Sequence, residues 1–200
     1  MTGSTAAPGP DPSDRDLVHR ARAGDHAAFA ELISRHERRV HALTYRMLGR
    51  QEDARDAAQE AFLACYRNLD RFREDAAFST WLHRIAVNAC YDILRRRGRE
   101  PVPHEVLPEP PPAGDPGDRM AAAVDVQRAL LAVAPEFRAV LVLHDAQGIP
   151  VDEVAAALGI PVGTVKSRLH RGRVALGRIL AGEPRAAPSA SNPTSPLERR

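Results

Sequence analysis

Residues 147–178 read QGIPVDEVAAALGIPVGTVKSRLHRGRVALGR, a pattern that predicts a short helix, a glycine turn and a second, basic helix. Ala155 is small where two helices would meet, Gly159 tolerates positive φ at the turn, and Val165 anchors the second helix. This second helix carries basic residues and no acidic one, namely Lys166, Arg168, Arg171, Arg173 and Arg178. Because a cationic helix of this kind fits a DNA major groove, we expect the segment to bind DNA.

The alternative for this segment is an ordinary helical hairpin whose basic face is simply solvated. A self-neutralising surface helix normally has acidic partners four residues away, and these are missing for Lys166, Arg168, Arg171 and Arg178. In addition, Gly163 and Thr164 leave the start of the helix open to a phosphate group. Both features favour DNA binding over the solvated hairpin.

Composition limits what the rest of the chain can be. Of the 200 residues, 44% are hydrophobic and 27% are charged, as in soluble globular proteins of one or two domains. Cys65 and Cys90 have neither Cys-x-x-Cys spacing nor a histidine cluster, so we expect buried free thiols and no metal site. The chain has no signal-peptide pattern and no long apolar run. We therefore expect a cytoplasmic protein without membrane insertion and without a cofactor.

Prolines divide the chain into two predicted folded units. Seven of the 17 prolines lie in residues 101–116, together with three acidic residues, which is typical of an extended linker. The chain ends are poor in large apolar residues, so they have little to offset the cost of ordering. We expect a disordered N-terminus at 1–13, a first unit at 14–99, a flexible Pro-rich acidic linker at 100–119, a second unit at 120–181 and a disordered tail at 182–200.

Apolar spacing predicts that both units are all-α. In the first unit, apolar residues recur at helical spacing at Phe29, Leu32, Ile33, Val40, Leu43 and Met47. No window alternates apolar and polar residues without a competing helical pattern. The predicted helices run from Ser13 to Gly24, Asp25 to Gly49, Gln51 to Leu69, Ser79 to Arg97, Met120 to Val133, Pro135 to Ala146, Val151 to Leu158 and Val162 to Leu180.

Three strings in this order resemble one protein family. They are DAAQEAFLACYRNLDRFR at 56–73, FSTWLHRIAVNACYDILRRR at 78–97 and IPVDEVAAALGIPVGTVKSRLHRGR at 149–173. Together they resemble the extracytoplasmic-function (ECF) subfamily of bacterial sigma factors, the promoter-recognising subunits of RNA polymerase, and within it the SigM-like group. The resemblance implies that the first unit is a domain 2, which binds core polymerase and the minus-ten element. It implies that the second unit is a domain 4, which reads the minus-thirty-five element.

The resemblance places minus-ten readers on the fourth predicted helix and in the loop before it. Along one face of that helix, at spacings of four, three and four, lie Arg84, Asn88, Tyr91 and Arg95. The amide of Asn88 can both donate to and accept from the edge of an unpaired base. The loop from Asp70 to Phe78 is where the family forms a pocket for a flipped base, and Phe72 and Phe78 would wall it. Core packing is an equally good interpretation of either phenylalanine.

The resemblance also places minus-thirty-five readers on the basic helix. The matching positions are Thr164, Lys166, Ser167, Arg168, His170 and Arg171. Arginine and lysine can read guanine, whereas Arg168 and Arg173 are better placed for phosphates or neighbouring acids. His170 departs from the bulkier or more basic residue common in relatives, which leaves its preferred base open. Pro150 stands where a capping Ser or Thr is usual, which puts that helix start in doubt.

Protein partners follow from the resemblance as well. The polymerase β′ clamp helices would contact the polar face of the third helix at Asp53, Asp56, Gln59, Glu60 and Asn68. A solvated helix face is the competing interpretation of these residues. The other implied partners are the polymerase β flap, promoter DNA and an anti-sigma factor.

Two functions of other classes compete with a sigma factor. One is a stand-alone helix-turn-helix regulator, which would bind duplex DNA without polymerase and would leave the loop and helix from Phe72 to Asn88 without a purpose. The other is a metal-dependent hydrolase, but His36 and His41 are five residues apart and no carboxylate completes a site with them. Fingerprints of serine hydrolases, P-loops and dinucleotide-binding folds are also missing. We therefore expect no enzymatic activity.

Overall fold

The computed structural model describes residues 13–98 and 117–182, and these residues form helices and connecting turns without strands. The all-α prediction is confirmed. The predicted N-terminus up to residue 12, the linker up to residue 116 and the tail from residue 183 lie outside the described residues. In chain order the helices are α1 (Asp14–Arg22), α2 (His26–Leu48), α3 (Gln51–Asn68), a 3₁₀ turn (Leu69–Arg71), α4 (Phe78–Arg97), α5 (Gly117–Ala132), α6 (Pro135–Leu141), a π-helical turn (Val142–Ala146), α7 (Val151–Leu158) and α8 (Val162–Leu180).

Local sequence signals set most helix ends. Ser13 and Asp16 form a capping box, in which each side chain accepts a hydrogen bond from the other residue's backbone N–H. Asp25 caps α2 by accepting from the N–H of Ala28 at 3.0 Å. Gly49 and Gly159 end α2 and α7 in the left-handed conformation, with φ of 78° and 64°. These predicted boundaries are therefore confirmed.

The first unit packs α1 to α4 around one core. Leu32, Val40 and Leu43 of α2 are fully buried, as the apolar spacing predicts. On α3 the buried positions are mostly small, which lets the backbones of neighbouring helices approach closely. They are Ala54, Ala57, Ala58, Ala61 and Cys65. The core fixes which faces of α3 and α4 remain outside.

The second unit packs α5 to α8. The predicted helix from Pro135 to Ala146 is continuous, but it changes from α-helix to a wider π-helical turn at Val142. Gly172 of α8 is buried against α6, where an added Cβ would lie 3.1 Å from the Leu141 side chain. Glycine at this position therefore permits a close approach of α6 and α8.

The two units contact each other, which the sequence does not indicate. The Arg138 guanidinium of α6 is buried and donates hydrogen bonds to the carbonyl oxygens of Met47 and Val133, the latter at 2.9 Å. The Thr80 hydroxyl of α4 donates to Glu153 of α7 at 3.2 Å. Buried apolar residues of both units form one continuous cluster. Within the described ranges, no helix is both long enough and apolar enough to cross a membrane.

Candidate nucleic-acid interface

The helix α8 turns its basic face to solvent. Its buried positions, Val165 and Leu169, pack against the rest of the unit. On the opposite side, Lys166, Ser167, His170 and Arg171 are exposed, and Thr164 and Arg168 are half-buried. Among the described residues, neither Lys166 nor Arg171 forms an ion pair. The predicted minus-thirty-five set therefore lies on one side of one helix with charge available for an anion.

Arg173 and Ser167 of α8 are already engaged within the protein. The Arg173 guanidinium donates to both carboxylate oxygens of Asp145, at 3.0 and 2.5 Å, and this contact raises the pKa of the guanidinium. Of the two roles predicted for Arg173, contact with a phosphate or with a neighbouring acid, the structure shows the second. The Ser167 hydroxyl donates to the carbonyl oxygen of Thr164 at 2.9 Å, so toward a ligand it offers its oxygen as an acceptor.

The helix α7, which packs beneath α8, begins without a side-chain cap. Pro150 occupies the N-cap position, and its carbonyl accepts the first helical hydrogen bond from Val154 at 2.9 Å. The proline therefore does not shift the start of the helix, because α7 begins at Val151 as predicted.

The helix α4 presents a second polar face. Arg84, Asn88 and Arg95 are exposed on it, whereas Tyr91 is half-buried. Burial raises the pKa of the Tyr91 hydroxyl, and the charge of Arg168 opposes this rise. Arg95 pairs with Asp92, one turn before it, so part of its charge is neutralised within the helix. Among the described residues the Asn88 amide has no hydrogen-bond partner, which leaves it available to a base.

Both phenylalanines of the loop before α4 lie in the core. Phe72 is 6% exposed and Phe78 is 4% exposed. They pack edge to face at 5.8 Å between ring centroids, and Trp81 lies 5.1 Å from Phe72 and 5.9 Å from Phe78. This burial favours the core-packing interpretation over a direct stacking wall. The outer surface of the loop is formed instead by residues 73–77.

A feature that sequence reasoning missed lies in the same loop. Glu74 has a left-handed backbone with φ of 58°, and Arg15, His19 and Arg22 of α1 surround its carboxylate. No local signal marks this contact, because more than 50 residues of chain separate Glu74 from Arg22. The loop is thus fastened to the first helix.

On α3 only part of the predicted polymerase-binding set faces outward. Asp56, Gln59 and Glu60 are exposed. Asp53 is half-buried and pairs with Arg97 of α4, and the Asn68 amide donates to the carbonyl of Ala64 at 2.8 Å. Asp53, predicted to contact polymerase, therefore has its carboxylate engaged within the protein, where it joins α3 to α4.

Beside this acidic face lies an apolar groove of about 600 Å³ between α2 and α3. Phe29, Ile33 and Phe62 contribute to its floor, and Leu63 and Tyr66 are 42% and 50% exposed at its side. Large apolar side chains at this exposure, next to an acidic row, are typical of a protein-binding surface.

The two cysteines are buried and free. Burial raises the pKa of the thiols of Cys65 and Cys90 to about 12 in each case. In the two described ranges, no three His, Cys, Asp or Glu side chains are grouped as metal ligands would be.

Comparison with known proteins agrees with this two-part arrangement. Residues 32–100 match the family model of Sigma-70 region 2, and residues 123–176 match that of Sigma-70, region 4. The chain is 44% identical over 168 residues to the ECF RNA polymerase sigma factor SigM of Mycobacterium tuberculosis (strain H37Rv), covering 84% of this chain and 85% of that protein. It is 35% identical over 181 residues to the ECF RNA polymerase sigma factor SigW of Bacillus subtilis (strain 168), covering 82% and 94%.

Among solved structures, the chain is similar to CnrH in complex with the cytosolic domain of CnrY. The TM-score is 0.66 at 28% identity, and the match covers 86% of this chain and 99% of that one. Region 2 thus coincides with the unit that carries α4, and region 4 with the unit that carries α8.

Proposed function

The chain belongs to the ECF sigma factors of the sigma-70 family, and from this we propose that it directs core RNA polymerase to specific promoters and helps to open them. The first unit, residues 14–99, binds core polymerase and the minus-ten element, and the second unit, residues 120–181, binds the minus-thirty-five element. The bond-forming chemistry belongs to the polymerase, so this chain has no catalytic role of its own. It acts in the cell interior, where the polymerase is.

In this proposal, α8 enters the major groove at the minus-thirty-five element. Lys166 and Arg171 are exposed and form no ion pair with any residue that the structure describes, so they can reach base edges or phosphates without breaking such a contact. Thr164 lies in the first turn of α8, where backbone N–H groups favour a phosphate. His170 lies between them on the same exposed face and adds a weaker base contact.

The minus-ten element is bound along α4. The exposed Asn88 amide matches the donor and acceptor pattern of a base edge, and Arg84, one turn earlier, is placed to hold the backbone. Tyr91 continues this face. Arg95 lies at its end, where the ion pair with Asp92 partly neutralises its charge. The loop at residues 72–77 supplies the pocket for a flipped base, and Phe72 and Phe78 support that pocket from beneath.

Core polymerase is bound by α3 and the adjoining groove. Asp56, Gln59 and Glu60 would contact polar residues of the β′ clamp helices, and electrostatic complementarity would speed association. Leu63 and Tyr66 would supply the apolar anchors that such an interface needs. Region 4 would contact the β flap.

A contrast between two exposed tyrosines tests this surface. Tyr66→Ala removes an anchor of the groove from α3. Tyr45→Ala removes a side chain of α2 that is 40% exposed and does not line this groove. We expect Tyr66→Ala to weaken core binding at least tenfold, about 1.4 kcal/mol, and Tyr45→Ala to leave it unchanged. Equal effects of the two substitutions would remove the groove from the interface.

We also propose that an anti-sigma factor holds this chain inactive. The supporting observation is the likeness to CnrH, whose structure was solved with the cytosolic domain of CnrY. The inhibitor should abolish transcription driven by this chain and leave transcription driven by a different sigma factor intact. Continued transcription with the inhibitor bound would overturn this part of the proposal.

The observation that carries the function is the presence of both matches in one chain, region 2 on the unit that exposes Asn88 and region 4 on the unit that exposes Lys166 and Arg171. Run-off transcription from genomic fragments of the source bacterium, with core polymerase and with or without this protein, tests it. New start sites are expected only with the protein. Gel shifts of the same fragments should need core polymerase, and binding without it would favour the stand-alone regulator.

A further inference from the structure

The loop between the 3₁₀ turn and α4 contains a backbone conformation that its sequence alone does not favour. Glu74 has φ of 58°, and among the described residues it is the only non-glycine residue with positive φ. For a residue with a Cβ this conformation costs about 1 kcal/mol or more. Interactions elsewhere must therefore hold Glu74 in place.

Those interactions come from α1. The Nη1 of Arg22 donates to Oε1 of Glu74 at 2.9 Å, and the Nε of Arg15 donates to Oε2 at 2.9 Å. The Nε2 of His19 lies 3.4 Å from the same Oε2. The Glu74 side chain is only 19% exposed, and both of its carboxylate oxygens contact side chains of α1.

Arg22 is the principal member of this group. Its side chain is 23% exposed, whereas that of Arg15 is 76% exposed, and an ion pair that exposed contributes little. Arg22 also donates to the carbonyl oxygens of Leu69, at 3.1 Å, and Phe72. Its guanidinium lies 5.9 Å from the centroid of the Phe72 ring. A single guanidinium thus contacts the loop at its start and at Glu74.

We propose that Glu74 is a positioning residue for minus-ten recognition, because it fastens the base-capturing loop to α1 through Arg22 and Arg15. The proposal rests on the function proposed above. A base pocket formed by a loop needs its backbone held to a fraction of an ångström. Without the contact between Glu74 and α1, the backbone of the loop at residues 72–77 would be free to leave the left-handed conformation at Glu74. The helix α1 lies outside the residues matched to Sigma-70 region 2, so this support comes from a part of the chain to which the match assigns no role.

The test compares two carboxylates of the same loop. Glu74→Gln removes the charge that Arg22 binds and keeps the shape of the side chain. Asp75→Asn removes the same charge one residue later, where the side chain is 68% exposed and pairs at 3.4 Å with Arg73, which is 83% exposed. Both variants make the loop less negative toward DNA by one unit, so a difference between them reports the contact with α1.

The probe is a single-stranded oligonucleotide that carries the non-template minus-ten sequence of a promoter found by run-off transcription. Its binding to holoenzyme is compared with that of oligonucleotides with one base substituted. We expect Glu74→Gln to lower the preference for the intact sequence by about tenfold, and Asp75→Asn to keep it. Core-polymerase affinity and the thermal midpoint should change little, which separates positioning from a general structural role.

Two further variants make the outcome decisive. Glycine adopts positive φ readily, so Glu74→Gly removes the carboxylate without straining the backbone. Discrimination between the intact and the substituted oligonucleotides should fall as in Glu74→Gln. Arg22→Lys keeps the charge but not the paired donors, and it should lose discrimination while core binding persists. If wild-type holoenzyme selects the intact sequence and all three variants select it equally well, the positioning role is excluded. If the wild-type protein forms no holoenzyme or finds no promoter, it is the proposed function that fails.

Discussion

The Arg138 guanidinium, in α6, donates a hydrogen bond to the carbonyl oxygen of Met47 at the end of α2, and so joins the two units of the chain. The same guanidinium donates to the carbonyl oxygens of Leu131 and Val133, where α5 ends. The last carbonyls of a helix carry a partial negative charge and lack helical partners, so one buried cation stabilises two helix ends. Burial lowers the pKa of this guanidinium.

Arg138→Leu should therefore destabilise the protein and separate its units. The substitution leaves carbonyl oxygens without a donor in a buried place, which costs about 1–3 kcal/mol of the free energy of unfolding. Denaturant unfolding should change from one transition toward two, and small-angle scattering should give a larger radius of gyration. Arg128→Leu is the matched control. Arg128 is 36% exposed, and its only described ion-pair partner, Asp125 at 3.8 Å, lies with it on α5. Equal losses in the two variants would contradict the joining role.

Two glycines of α8 should respond to alanine in opposite ways. Gly177 has open space around the position of a Cβ, so Gly177→Ala should stabilise the helix by about 0.5–1 kcal/mol. At Gly172 the added Cβ would press on Leu141 from 3.1 Å, so packing strain should cancel or exceed the same gain. Thermal unfolding of both variants measures the difference. A higher melting temperature for Gly172→Ala than for Gly177→Ala would show that α6 and α8 do not pack closely here.

Sequence reasoning predicts the features that depend on neighbouring residues. The cap at Ser13, the turn at Gly159 and the bounds of α7 and α8 each follow from a few adjacent positions. The basic face of α8 is predicted as well, because helical spacing alone determines which side chains share a face.

Pairs of residues far apart in the chain have no such signal. Arg138 and Met47 are 91 residues apart, and Arg22 and Glu74 are 52 apart. In the sequence, each of these charged residues looks like part of a solvated surface. The same applies to Asp53, whose pairing with Arg97 is decided by how α3 packs on α4. The burial of Phe72 also depends on tertiary packing, so periodicity cannot choose between core and pocket.

The buried imidazole of His83 should make stability depend on pH. Burial lowers the pKa of His83 from 6.5 to about 4, and the charges of His36 and Arg39 act in the same direction. Between these two values the unfolded chain binds a proton that the folded chain does not. The stabilising contribution of His83 to the free energy of unfolding is therefore complete above pH 6.5 and is lost as the pH falls toward 4. It amounts to about 3 kcal/mol at most.

Denaturant unfolding of His83→Gln between pH 4 and 7 tests this dependence. The free energy of unfolding of the variant should vary less with pH than that of the wild type. His170→Gln removes an exposed imidazole on α8 and is the matched control, which should follow the wild-type curve. If His83→Gln has the same slope as the wild type, another group is responsible for the acid sensitivity.

Two arginines of α8, two positions apart, should differ in their effect on DNA. Arg171 is exposed and has no ion-pair partner in the described part of the chain, whereas the guanidinium of Arg173 donates to both oxygens of Asp145. Arg171→Ala should weaken binding of holoenzyme to a minus-thirty-five duplex by about 1–3 kcal/mol if the side chain reads a base, and only at that base position. If it contacts a phosphate, all sequences weaken alike and the slope of log K against log salt falls by about 0.9.

Arg173→Ala is the internal comparison for that measurement, since it removes the same side chain from the same helix. The Arg173 side chain is 56% exposed and its loss removes the guanidinium partner of Asp145, so we expect a small loss of stability and a weaker effect on DNA binding than Arg171→Ala. The affinities of both variants, measured across a range of salt concentrations, separate charge loss from contact loss. If the two substitutions weaken binding equally and change the salt slope equally, the binding depends on the total positive charge of α8 and not on the side chains of its outward face.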